Sequence, residues 1–114
     1  MRVTPDRYLT YRYAGASGDF NPIHLDDEFA RSVGLPGRIL HGLWTMAQVA
    51  RAVSDDPLAL SSLSVQFRGI GVPEREIVVT ATPGADGVVE CEAVQGEQRL
   101  VRRGRAVLAR PDAS

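Results

Sequence analysis

Between positions 42 and 53 polar residues recur every third place, at Thr45, Gln48 and Arg51. Leu43, Trp44, Met46, Ala47, Val49, Ala50 and Val53 fill most of the remaining circumference. That spacing predicts a helix, apolar on nearly every side, so other elements must wrap it. After it the period changes to two. Leu63, Val65 and Phe67 alternate with Ser64, Gln66 and Arg68. Ile77, Val79 and Ala81 alternate with Val78, Thr80 and Thr82, and Val89, Cys91 and Ala93 with Glu90, Glu92 and Val94. These read as strands with one drier face. Ala85-Asp86-Gly87 and Gly96-Glu97 are hairpin signals. A last strand over about 99–109 has no clear phase, because Arg102, Arg103 and Arg105 fall on both faces, and Gly104 marks a candidate bulge.

Upstream, Thr4-Pro5-Asp6 reads as a helix start, a hydroxyl cap followed by proline. That helix should run to about Ala16 and stop at Ser17-Gly18. A loop with Pro22 follows, then Asp26 as N-cap of a short helix whose first turn carries Asp27 and Glu28. Gly34, Pro36 and Gly37 break it. Helices first and strands second predict an α+β domain with an antiparallel meander around one helix.

The chain has 114 residues, enough for one domain, here residues 1–110 with a short tail at 111–114. Net charge is -1, which supplies no basic field for nucleic acid or an anionic membrane. All 13 basic residues are arginine. The lone Cys91 sits in a strand pattern and reads as a buried structural thiol, with no metal cluster around it. No apolar run approaches the ~20 residues of a membrane span, and no apolar leader follows Met1, so a cytoplasmic location is expected.

The richest segment is Ser17-Gly18-Asp19-Phe20-Asn21-Pro22-Ile23-His24, continuing through Leu25-Asp26. It places a carboxylate and an imidazole on a proline-containing loop held at both ends. Two such groups around one water suit general acid–base chemistry near neutral pH. The same residues could equally cap helices or satisfy backbone, so the residues alone leave both readings open.

From Tyr13 onward, the run Y-A-G-A-S-G-D-F-N-P-I-H-L-D-D-E-F-A-R-S-V-G-L-P-G-R-I-L-H-G-L-W-T-M-A resembles the MaoC-like, (R)-specific enoyl-CoA hydratase family. The motif residues are Asp19, Asn21, Pro22, His24 and Asp26, with His41-Gly42 opening the apolar helix. The resemblance implies a single hotdog fold, an antiparallel sheet wrapped around a long central helix, in an N-terminally short version. It also implies reversible syn addition of water to a trans-2-enoyl thioester of CoA or an acyl carrier, with Asp19 and His24 as catalytic dyad. Gly42 would offer a helix N-terminal N–H to the thioester carbonyl. Asn21, Asp26 and His41 would organise the site, His41 bonding locally, and Leu43, Trp44 and Met46 are candidates for the acyl pocket. Arg38, Arg102, Arg103 and Arg105 are candidates for CoA phosphates. No cofactor is expected beyond the CoA or phosphopantetheine of the substrate. The implied partner is a second copy, or a second hotdog subunit in a heterodimer. A hotdog thioesterase and a non-catalytic acyl-binding subunit are the alternatives.

Two departures from the family stand out. Only Met1 to Val3 precede the first helix signal, so the sheet is expected to lack a strand or to borrow one from a neighbour. The segment Gly69-Ile70-Gly71-Val72-Pro73-Glu74-Arg75 replaces the family's usual turn after Phe67-Arg68.

Overall fold

The strand patterns pair into one antiparallel sheet. In the computed structural model, which describes residues 1–109, β1 (Arg2–Val3), β2 (Leu60–Phe67), β3 (Ile77–Pro83), β4 (Val88–Gln95) and β5 (Gln98–Leu108) lie in the order β1-β3-β4-β5-β2. The tail expected at 111–114 lies outside the described residues. Val79, Val89, Cys91, Ala93, Val101 and Ala106 turn one face inward, and Glu90, Thr80 and Arg105 stay on the other. The expectation of a missing first strand is corrected. Arg2 and Val3 pair with Val78 and Ile77, and the Met1 ammonium donates to the Val79 carbonyl. Two residues suffice because β3 already carries its main pairing with β4 on the other side.

The predicted bulge falls beside Gly104. Cys91 pairs with Gly104 and Ala93 with Val101, so β5 inserts one extra residue, and Arg103 adopts φ +52°. A Cβ on Gly104 would lie 2.6 Å from the Cys91 carbonyl oxygen, so only glycine lets β4 and β5 approach there. The extra residue is why the arginines fit no single phase. Burial pushes the Cys91 thiol pKa up, consistent with a packing role.

Three α-helices cover the inner face and its entrance: α1 (Leu9–Ser17), α2 (Asp27–Ser32) and α3 (Gly42–Val53). The helix start predicted at Thr4 is corrected to Leu9. Asp6 organises a turn instead: its side chain accepts the Tyr8 N–H, its carbonyl accepts that of Leu9, and Arg12 pairs with its carboxylate. The Arg12 guanidinium holds the Asp6 carboxyl below its usual range. Pro5, read as the first helical residue, uses its carbonyl to accept the Glu74 N–H.

The bounds of α3 agree with the pattern, but its orientation does not. Thr45, Gln48 and Val49 are buried against the sheet, whereas Leu43 is 64% exposed. Thr45 and Gln48 of the polar stripe therefore face in while Arg51 stays exposed, and the wrapping within this chain is one-sided. Gln48 tolerates burial because its amide donates to the Trp44 carbonyl and its oxygen accepts from Arg51.

Candidate active site

The loop between α1 and α2 is built from short polar side chains capping their own backbone. Gly18 ends α1 at φ +79°, a conformation that favours glycine. Ser17 Oγ then accepts the Asp19 N–H, Asp19 Oδ1 accepts that of Asn21, and Asn21 Oδ1 accepts that of Ile23. A 3₁₀ turn at Pro22–His24 follows, and Asp26 caps α2 through the Phe29 N–H. Asn21 and Asp26 thus organise the loop as their residue types suggest.

This loop brings Asp19 and His24 together. Asp19 Oδ2 lies 3.7 Å from His24 Nε2, with the Asp19 side chain 53% exposed and His24 buried. His24 Nδ1 is 2.9 Å from the Ile39 carbonyl oxygen, which only an Nδ1–H can satisfy. In the neutral ring that leaves the Nε2 lone pair facing the Asp19 carboxylate. The separation exceeds a direct hydrogen bond and suits one water bonded to both.

His41 corrects the expectation of a purely local bond. Its Nε2–H donates across 22 residues to the Asp19 carbonyl, at 3.1 Å, and its ring stacks on His24 with centroids 3.8 Å apart. Tyr13 also packs against His41, 4.8 Å between centroids with the rings tilted by 54°. Burial is the main cause that lowers the His41 pKa, and His24 beside it adds to this, so the ring is favoured in its neutral form. Donor atoms of Asp19, His24 and His41 fall within 4.8 Å of one another. One nitrogen of each histidine is committed to a backbone carbonyl, and the stacked rings keep their remaining lone pairs in nearly parallel planes.

His24 also lines a pocket of about 200 Å³, together with Gly42, Thr45, Phe67, Gly69 and Leu100. Gly42 opens α3, and its N–H finds no acceptor among the described residues, while those of Trp44 and Thr45 go to the His41 carbonyl. A free N–H at the positive end of a helix is suited to an oxygen carrying developing charge. Leu43, Trp44 and Met46 are not part of this pocket. Leu43 faces outward, and Trp44 packs against the core. The helix turns Thr45 inward instead, a residue that the motif does not contain.

The arginine candidates separate. Arg38 is 12% exposed in its side chain, with Nε and Nη1 both engaged. It donates to the Arg7 carbonyl and Thr10 Oγ1, pairs with Asp27, and stacks over Tyr11. Its Nε and Nη1 join α1 to α2 through Thr10 and Asp27. Its backbone N–H in turn is the main cause that keeps the Asp27 carboxyl below the usual range. Arg102, Arg103 and Arg105 lie on the sheet's outer face. Arg105 lies opposite Glu90 in the β4–β5 register, and Arg102 meets Gln66 beside Arg68, whose charge is the main cause lowering its pKa.

An antiparallel sheet packed on one central helix, with a carboxylate–imidazole pair near the helix N-terminus, defines a hotdog-fold domain. Residues 1–103 match the MaoC like domain, and the chain belongs to that family. It is 36% identical over 84 residues to the enoyl-CoA hydratase ChsH3 of Mycobacterium tuberculosis, covering 69% of this chain and 28% of that protein. Against the peroxisomal enoyl-CoA hydratase 2 of Arabidopsis thaliana, identity is 41% over 71 residues, 58% of this chain and 22% of that one. The crystal structure of a MaoC-like dehydratase from Phytophthora capsici superposes with a TM-score of 0.91 at 28% identity, over 100% of this chain and 41% of that one. The chain thus spans about a quarter of the length of these two curated relatives.

Proposed function

We propose that this domain hydrates trans-2-enoyl thioesters to (R)-3-hydroxyacyl thioesters, and dehydrates them in reverse. The observation that carries the reading is the Asp19–His24 pair facing one another at 3.7 Å beside the free Gly42 N–H. A water between them donates one hydrogen to the Nε2 lone pair and the other to the carboxylate. As its oxygen attacks C3, one proton passes to the dyad, and the double-bond electrons move toward the thioester carbonyl. The Gly42 N–H stabilises the resulting enolate-like oxygen, and the dyad returns a proton to C2 on the same face. Asp19 and His24 are the catalytic groups in this reading, with Asn21, Asp26 and His41 holding them. The thioester carrier, CoA or a phosphopantetheine arm, belongs to the substrate, and the step requires no other cofactor. The names of the M. tuberculosis and Arabidopsis relatives support the same chemistry.

A second hotdog subunit, in the first instance another copy, is the partner we infer. The edge strand β2 carries no charged residue or proline over eight positions, the devices that normally protect a sheet edge. Phe20, Leu43, Phe67 and Ile70 are also exposed on the chain. Membrane association is no part of the reading: among the described residues no helix is long and apolar enough to cross a membrane. The cytoplasm is the compartment we propose.

The test is loss of enoyl absorbance from a short trans-2-enoyl-CoA, with chiral identification of the product. Formation of the (R)-3-hydroxyacyl thioester, lost in Asp19→Asn and in His24→Ala, is expected. Release of free CoA without hydration would instead make the domain a thioesterase.

A further inference from the structure

We propose that the Thr45 hydroxyl is a second hydrogen-bond donor to the substrate's thioester carbonyl, acting beside the Gly42 N–H. The inference rests on the hydration reading above and extends it to a residue that the motif does not contain. Thr45 is only 4% exposed, yet its side chain lines the same pocket as His24 and Gly42. Buried polar groups are ordinarily hydrogen-bonded, and a helical threonine ordinarily bonds back to the carbonyl four residues earlier. Here that carbonyl, on His41, receives only backbone N–H groups, and the Thr45 hydroxyl has no partner among the described residues. Among the described residues no side-chain polar atom is both fully sealed from solvent and unpartnered, so the hydroxyl keeps an opening, and the pocket is the opening it borders.

The contrast with Gln48, its neighbour on the stripe, sharpens the point. Gln48 is equally buried and satisfies both ends of its amide within α3. Thr45 is thus the inward-facing polar group of this helix with an unused donor. Residues three apart on a helix are surface neighbours. Gly42 and Thr45 therefore present an N–H and an O–H to one pocket from successive turns. An oxygen that gains charge as C3 is attacked can take hydrogen bonds from both, each aimed before the reaction begins.

The test compares Thr45→Val, which keeps the shape and removes the hydroxyl, with Thr45→Ser, which restores it. Removal of one donor of this kind costs roughly 10²–10³ in kcat in known cases. Thr45→Val should fall by about that factor with little change in KM, and Thr45→Ser should recover most of it. A structural role would not move a second readout, the absorbance shift of bound cinnamoyl-CoA, whose conjugated carbonyl absorbs at longer wavelength when hydrogen bonds polarise it. The wild type and Thr45→Ser should shift the band, and Thr45→Val should shift it less. An unchanged band in Thr45→Val, or an unchanged kcat, overturns the proposal, as does a wild type that leaves the band unmoved. A wild type that shifts the band through Thr45 but hydrates no enoyl thioester keeps the donor and sinks the hydration reading. Thermal melts of both variants separate loss of fold from loss of the donor.

Discussion

Replacing His41 with phenylalanine isolates the tether on Asp19. Phenylalanine preserves an aromatic face for His24, 3.8 Å away, and for Tyr13, but it cannot donate to the Asp19 carbonyl. The bond removed is a single N–H···O=C contact of 3.1 Å. Such a bond contributes about 0.5–1.5 kcal/mol net. Asp19 has few other restraints: its carboxylate is half exposed, and its remaining bonds are the two local ones to Ser17 and Asn21. If the tether selects the loop position in which Asp19 faces His24, its loss lowers the competent population by roughly 2–13-fold, the factor that 0.5–1.5 kcal/mol commands. The prediction is a fall of that size in kcat for enoyl-thioester hydration, with KM nearly unchanged. His41→Gln, which can reach the same carbonyl with an amide N–H, should recover part of the loss. Wild-type kcat in His41→Phe, with the melting temperature unchanged, would refute the idea that this bond positions the carboxylate.

Other outcomes follow from the same contacts. Arg38→Gln removes bonds to the Arg7 carbonyl, Thr10 and Asp27 from a largely buried position, and should cost roughly 2–4 kcal/mol, read as a lower urea midpoint at constant m. Gly104→Ala forces a methyl to within 2.6 Å of the Cys91 carbonyl oxygen and should destabilise by at least about 1–3 kcal/mol, measured the same way. His41 should also make stability pH-dependent. Its folded-state pKa lies below the ordinary 6.5 through burial, so the unfolded chain binds more protons. Its contribution is full above that value and declines as pH falls toward the folded-state pKa. Urea midpoints measured between about pH 7.5 and 5.5 should therefore drop, and drop less in His41→Phe. Equal slopes in the two proteins would show that His41 is not the group responsible.

The elements of the fold were largely legible in the chain. The helix at 42–53, the alternating strands and both hairpin turns follow from local periodicity, because apolar spacing and turn chemistry act over a few residues. The caps at Gly18, Asn21 and Asp26 are local in the same sense, and so is the bulge beside Gly104. The carboxylate and imidazole were also visible, since five residues and a proline hold them on one loop. Long-range partners were not. Arg38 resembled a free cation until Arg7 supplied a carbonyl and α1 a hydroxyl for it. His41 resembled a local cap until the fold carried Asp19 to its ring. The two-residue β1 is too short to leave a period and exists because β3 offers it an edge. The face of α3 that meets the sheet was the largest surprise: a helix with apolar residues almost all round gives no preference from pattern alone. Periodicity therefore determined that α3 would be a helix in need of cover. Only tertiary packing decided that two residues of its polar stripe, Gln48 satisfied and Thr45 open to the pocket, would turn inward beside Val49.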